Sequence, residues 1–258
     1  MKIIDTHAHL DQVENCEAEL KDAAAAGVEA VVAVGSDLAS NQRNLAIKKS
    51  TVAPKIYLGL GIHPGNIKAE DIEPTIKFIR DNIREANAVG EIGLDFWYKW
   101  LRKDAEKHEE QRRVFLQQLE IAKEFDLPVV IHSRGTWKEC LETTKKVGIK
   151  KAVFHWYSGP IDVLNDIIAA GYLVSCSPSV AYSPQSREAI THAPIEQTLI
   201  ETDCPVFYQS RDGAEGFTAT PKHVFKTLKA YCELKGMKEE QAVKILNKNA
   251  KIFFNIND

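Results

Sequence analysis

Eight short runs of apolar, largely β-branched residues recur along the chain: KIID at 2–5, EAVVAVG at 29–35, KIYLGLG at 55–61, AVGEIG at 88–93, LPVVIHS at 127–133, KAVFHW at 151–156, GYLVSCS at 171–177 and QTLIET at 197–202. Each is apolar on both faces, as a strand covered on both sides must be. Helical patterns lie between them. Residues 18–26 are Ala-rich, and 74–83 places Ile76, Ile79 and Ile83 on one stripe. Residues 106–125 form the longest amphipathic stretch, with Phe115, Leu116, Leu119, Ala122 and Phe125 as its expected inner face. The stretches 162–170 and 222–234 follow the same spacing, and 239–254 reads as a final helix closing one end. Strands alternating with helices predict a parallel α/β architecture. Eight of them favour a (β/α)8 TIM barrel over an open doubly wound sheet, and no G-x-G-x-x-G follows the first strand. The expectation is one barrel domain over 1–258 with a C-terminal helix.

Composition narrows the function. The 258 residues are 44% hydrophobic and 27% charged, which suits a packed core. Lys and Arg total 33 against 36 Asp and Glu, a net charge of -3. A broad basic coat for nucleic acid is excluded, although a local basic groove is not. No segment approaches the roughly 20 apolar residues of a membrane helix, so no membrane association is expected. The opening MKIIDTHAHL has neither an apolar core nor a cleavage site of a secretory signal. The five cysteines, at 16, 140, 176, 204 and 232, form no C-x-x-C pair. That argues against a disulfide framework or zinc ribbon and for a cytoplasmic setting. Nothing in the sequence calls for an obligate protein partner.

The chemistry gathers at the strand ends. His7 and His9 form an H-x-H at the first strand, and residues i and i+2 share a face. His63 follows the third strand in GIHP, Glu91 and Asp95 the fourth, His132 the fifth, His155 the sixth, and Asp203 the eighth in LIETDCP. In a barrel these ends converge on one mouth, where active sites are built. Taken singly, H-x-H suits a buried hydrogen-bonded pair, and Glu91 or Asp203 suits a helix cap. Their coincidence on one rim points instead to a metal site of imidazoles and carboxylates. Six good ligands (His7, His9, Glu91, His132, His155 and Asp203) suit two divalent ions sharing a carboxylate. Such a mixed set fits Zn²⁺ or Mn²⁺ better than Mg²⁺. His63 is expected to line the pocket. His108, His192 and His223 fall in or near helices and read as surface or packing residues.

The motifs DTHAHLD at 5–11, GIHP at 61–64, GEIGLD at 90–95, LPVVIHSR at 127–134, HWYSG at 155–159 and LIETDCP at 199–205 resemble those of the TatD-type metal-dependent hydrolases. These are (β/α)8 barrels of the amidohydrolase group, and NKNAKIFF at 247–254 is similar to the family's ending. The resemblance implies that His7, His9 and Asp203 hold one metal, that His132 and His155 hold the other, and that Glu91 bridges them. It implies metal-dependent hydrolysis of nucleic-acid phosphodiesters, often as a 3′-to-5′ exonuclease on DNA ends or single strands. Some relatives are proposed to act on D-aminoacyl-tRNA esters. Two cations about 3.5–4 Å apart can clamp the attacking and leaving oxygens. Asp203 is then the expected acceptor of the water proton, and Arg134 and Ser158 are candidate donors to the phosphoryl oxygens.

The loops depart from the family pattern. VFYQSRDGAEGFTATPKHV at 206–224 replaces a Pro- and Arg-rich loop ending in Asn-Glu-Pro, WYSG stands where CFSG is common, and CSPSVAYSPQ at 176–185 lacks the usual Gly-containing turn. The segment FWYKWLRKD at 96–104 sets aromatics, Trp97 among them, beside Lys99, Arg102 and Lys103. Such a loop can stack single-stranded bases and hold phosphates. The rival expectation is a metal-dependent amidohydrolase or esterase acting on a small amide, lactone or aminoacyl ester. Many such barrels bridge their metals with a carboxylated lysine, whereas the fourth strand here offers Glu91. A barrel that binds metal without turnover is a further alternative, and the presence of all six expected ligands gives it no support.

Overall fold

A computed structural model describes residues 1–97, 104–209 and 215–256. Eight strands pair in chain order, all parallel: β1 Ile3–Ala8, β2 Val28–Val34, β3 Lys55–Leu60, β4 Ala88–Gly93, β5 Val129–His132, β6 Ala152–Phe154, β7 Leu173–Cys176 and β8 Thr198–Ile200. The last meets the first. Ala8 bridges to Cys204, the Asp203 N–H donates to the His7 carbonyl (2.9 Å), and the His9 N–H donates to the Cys204 carbonyl (2.8 Å). The result is the (β/α)8 barrel expected from the alternation.

Strand residues sort into two separate cores, as a two-residue period requires. One row fills the barrel: Ile4, Ala30, Val32, Val34, Ala88, Val130, Val153 and Leu199. It continues into Phe253, Phe254 and Ile256 at the chain's end. The other row, with Val31, Leu58, Ile92, Ile131 and Phe154, packs against the helices.

The helices are α1 Cys16–Ala26, α2 Leu38–Ser50, α3 Ala69–Asp81, α4 Ala105–Glu124, α5 Trp137–Val147, α6 Ile161–Ala169, α7 Pro184–His192, α8 Val224–Lys235 and α9 Glu239–Phe254. Helix α9 closes the end opposite the mouth. Its Asn247 accepts from the Ile4 N–H (3.2 Å) and donates to the Lys2 carbonyl (3.0 Å). A short antiparallel hairpin, β9 Phe207–Tyr208 with β10 Phe217–Thr218, lies between β8 and α8. Among the described residues, no helix is long and apolar enough to cross a membrane.

Two helical expectations need correction. Helix α3 starts at Ala69, not at Pro74, with Glu70 and Asp71 in its first turn. It ends at Asp81, and Ile83 falls in a following 3-10 turn. In α4 the buried stripe is Gln111, Val114, Phe115, Gln118, Leu119, Ile121 and Ala122, while Leu116 and Phe125 are 42% and 40% exposed. Leu116 stands one residue out of phase with a stripe spaced i, i+3, i+4, i+7. Phe125 lies past the last helical residue, 6.0 Å from the Arg80 guanidinium. Two positions of the buried stripe are held instead by glutamines, Gln111 and Gln118, whose amides are satisfied. Gln118, for example, accepts from the Ile62 N–H (2.7 Å) and donates to the Ile62 carbonyl (3.1 Å).

Candidate metal centre

The barrel row delivers several side chains to the mouth without further device. Two residues beyond Val130, Val153 and Leu199 stand His132, His155 and Glu201, on the same face by strand period. Glu91 and His7 need more. Ala88 points into the barrel, so unbroken alternation would turn Glu91 outward. The β4–β5 register shifts between Val89 and Ile92, and the β1–β2 register shifts between Asp5 and Ala8. Such irregularities re-aim a side chain, and here both Glu91 and His7 end up buried among the other imidazoles. Gly93 permits the close approach of the strands: its φ is +142°, and a Cβ there would lie 1.9 Å from the His132 carbonyl oxygen.

The two oxygens of Glu91 face two different groups. Oε2 lies 3.5 Å from His7 Nε2 and 3.3 Å from His9 Nε2. Asp203 Oδ1 lies 3.5 and 3.4 Å from the same two nitrogens. Oε1 lies 2.9 Å from His132 Nδ1, 2.7 Å from His155 Nε2 and 3.5 Å from His63 Nε2. His132 Nδ1 and His155 Nε2 are 3.4 Å apart. Three donor groups could hold an ion: His7, His9 and Asp203; His63, Glu91 and His132; and His7, His155 and Glu201.

These residues fit a divalent cation. Zinc–nitrogen bonds of 2.0–2.1 Å in a tetrahedron put neighbouring donors about 3.3 Å apart. The four imidazole-to-carboxylate separations between His7 or His9 Nε2 and Glu91 Oε2 or Asp203 Oδ1 run from 3.3 to 3.5 Å. His7 Nε2, Glu91 Oε2 and Asp203 Oδ1 are buried with no hydrogen-bond partner among the described residues. Buried polar atoms are normally satisfied, and a shared ion would satisfy all three.

Electrostatics agree. Burial alone would raise the Glu91 carboxyl, but His63, His155 and His132 hold it well below the usual range. Burial would also raise Asp203, and His9 and His7 pull it down. Burial disfavours the His9 imidazolium, yet Asp203 and Glu91 push His9 up to about 10. His132 and His155 are likewise raised against burial, the first by Asp95 and Glu91, the second by Glu91 and Glu201. The carboxylates thus stay ionised and draw positive charge beside them. Metal binding there would displace imidazole protons. His63 differs: burial drives it down to about 3, and its Nδ1 accepts from the Gly65 N–H (2.9 Å), turning Nε2 toward Glu91. It was expected only to line the pocket, and it also joins one of the candidate ion-binding groups.

Two carboxylates to which the sequence reading gave no role stand behind the imidazoles. Glu201 is fully buried; its Oε1 accepts from the Trp156 N–H (2.9 Å) and lies 3.4 Å from His155 Nδ1. Asp95 Oδ2 lies 2.8 Å from His132 Nε2. Glu201 lies in LIETDCP and Asp95 closes GEIGLD, two residues before Asp203 and four after Glu91. Both could have been found as acids one short step from a ligand. His9 Nδ1 instead meets the Ser36 hydroxyl at 3.3 Å.

Above the ligands opens a cavity of about 740 Å³, lined in part by Trp97, Arg134, Trp137, Trp156, Ser158 and Tyr182. Arg134, Ser158 and Trp97 therefore face it as expected, with Trp97 57% exposed. Arg134 also donates from Nε to Asp95 Oδ2 (2.9 Å). Lys99, Arg102 and Lys103 lie outside the described residues, as do residues 210–214 of the divergent loop. The remaining histidines stand apart from the centre. His108 stacks on Phe96, His192 meets the Glu188 carbonyl at the end of α7, and His223 caps a turn with Thr220.

A parallel barrel with clustered imidazoles and carboxylates at the C-terminal ends of its strands marks the class of metal-dependent hydrolases. The chain belongs to the TatD related DNase family, whose model matches residues 4–255. It is 30% identical over 258 residues to a putative deoxyribonuclease tatdn3 of Danio rerio, covering 96% of this chain and 95% of that one. It is 30% identical over 260 residues to the metal-dependent hydrolase MJ1582 of Methanocaldococcus jannaschii, covering 98% and 97%. The crystal structure of YJJV, a TatD homolog from Escherichia coli K12, superposes with a TM-score of 0.87 at 27% identity, over 99% of this chain and 98% of that one.

Proposed function

We propose that the protein hydrolyses nucleic-acid phosphodiesters with two divalent ions, as a 3′-to-5′ exonuclease on DNA ends. The observation that carries this reading is the division of Glu91: one oxygen faces His7 and His9, the other His132 and His155. Bound there, the ions would polarise a phosphoryl oxygen and activate water at neutral pH. Glu91 would fix their spacing. Asp203, held ionised beside His7 and His9, would take the proton of the attacking water. Trp97, Trp137 and Trp156 line the cavity and would stack bases of a frayed end, while Arg134 and Ser158 would hold phosphoryl oxygens. The polarity of digestion comes from the family resemblance.

Timed digestion of end-labelled single-stranded DNA, with Mg²⁺ or Mn²⁺ and with a chelator control, tests the proposal. The expected result is a ladder that shortens from the 3′ end and disappears with chelator. Cleavage that survives exhaustive chelation would remove the mechanism. No cleavage by a folded, metal-loaded sample would transfer the assignment to an ester or amide substrate, and the loop at 206–223 would be the place to look.

A further inference from the structure

Behind His132 stands a carboxylate with a more specific task than packing. Asp95 is fully buried just beyond β4. Its backbone is pinned by Gln111, which accepts from the Asp95 N–H (2.9 Å) and donates to the Asp95 carbonyl (3.3 Å). Its Oδ1 accepts from the Trp97 N–H (2.8 Å), and its Oδ2 meets both Arg134 Nε (2.9 Å) and His132 Nε2 (2.8 Å). The carboxylate is therefore fixed before any ligand arrives.

His132 has a carboxylate at each ring nitrogen, and the surroundings distinguish the two sides. At Nδ1, the nitrogens of His155 and His63 also converge on Glu91 Oε1. That is a place for a shared cation. At Nε2 there is Asp95 alone, at hydrogen-bond distance, its carboxylate already engaged by Arg134 and the Trp97 amide and approached by no second imidazole among the described residues. A neutral imidazole carries one proton, and the hydrogen bond at one nitrogen selects which nitrogen faces the metal.

We infer that Asp95 is a positioning residue: it accepts the Nε2–H of His132, so that Nδ1 is presented to the cation on the Oε1 side of Glu91. The inference rests on the two-ion reading above. It gives the two ions unequal dependence on Asp95, because His7 and His9, on the other side, make no contact with it among the described residues.

Loss of a hydrogen-bond partner behind a metal ligand costs about 10–100-fold in metal affinity. The test is Zn²⁺ titration of wild type and Asp95→Asn by calorimetry and equilibrium dialysis, with circular dichroism to confirm folding. The variant should bind one equivalent with wild-type affinity and the second about 10–100-fold more weakly. A folded variant that binds both equivalents as wild type does would overturn the inference. So would equal weakening of both, which is the mark of a general structural role. Should the variant fail to fold, nitrogen-15 histidine spectra of Zn²⁺-loaded wild type decide the matter. A protonated Nε2 and metal-bound Nδ1 on His132 support the inference, and the reverse assignment refutes it. Wild type that binds one ion would sink the two-ion reading instead, and the His132 spectrum would still judge Asp95.

Discussion

Replacing Gly93 by alanine tests the link between fold and metal centre. The added Cβ would sit 1.9 Å from the His132 carbonyl oxygen, where ordinary contact begins near 3.4 Å, so β4 and β5 would have to part by about 1.5 Å. Two costs add. A side chain at φ +142° strains the backbone by about 1–3 kcal/mol. Forcing packed strands apart costs about another 1–3 kcal/mol. A total of about 2–6 kcal/mol is a large part of the 5–15 kcal/mol that holds a typical domain folded. The Leu94 N–H bond to the same carbonyl (3.1 Å) would be disturbed as well. Because ligand distances tolerate only about 0.2 Å, the moved His132 should release its cation before the barrel unfolds. Urea denaturation gives the stability, and dialysis against Zn²⁺ gives the metal content. Gly148→Ala is the control: φ is +85° there too, but nothing lies within 4 Å, and the loss should stay near 1–2 kcal/mol. Gly93→Ala within about 1 kcal/mol of wild type and with full metal content would refute the reasoning.

His7→Ala and His132→Ala should each abolish hydrolysis while circular dichroism stays close to wild type; full turnover in either would remove the ligand assignment. Trp97→Ala should weaken binding of single-stranded ends by about 1–3 kcal/mol per base stacked, read by fluorescence anisotropy, and unchanged affinity would confine Trp97 to packing. His223 tests a pH effect remote from the metals. Burial, then Lys226 and Lys222, lower it from 6.5 to about 4, and its Nδ1 accepts from the Thr220 N–H. The unfolded chain thus binds the extra proton first, so this contribution is complete above pH 6.5 and is lost as pH falls toward 4. After allowance for partial exposure it is about 1 kcal/mol. The fall in stability from pH 7 to 5 should be shallower in His223→Gln, and parallel slopes would count against the assignment.

What could be read from the sequence follows from which physical signals are local. The eight strands were legible because both faces are apolar, and the mouth because its candidate ligands stand at strand ends. Helices α2, α5 and α7 gave no comparable signal. Helix α2 buries Ser40, Asn41 and Asn44, so its inner face carries little apolar periodicity. Its clearest mark is a cap: Asp37 accepts from the Ser40 N–H (2.8 Å), and the Ser40 hydroxyl returns to the Asp37 N–H (2.9 Å). In α5 the buried set is Cys140, Leu141 and Thr144, and α7 is short, behind a Ser183 cap and Pro184.

The site divides in the same way. His132 and His155 lie in phase with the barrel row, so strand period alone could place them. Glu91 and His7 lie out of phase, and only the shifted registers of β4 and β1 bring them inward. Their place at strand ends singled them out where strict periodicity would have turned them outward. Asp95 was named at a strand end and Glu201 stood inside a motif, but neither reading gave them a role, because each faces the back of an imidazole. Asp95 meets His132 across 37 positions of sequence and Glu201 meets His155 across 46. Such pairs exist only once the barrel has closed. The candidate ligands can be listed from strand ends, but the carboxylates behind them depend on which strands become neighbours. In this barrel β4 beside β5 sets Asp95 behind His132, and Glu201, beyond β8, reaches His155 past the Ser175 hydroxyl of β7. The order of strands therefore fixes which of the imidazoles are backed by a carboxylate.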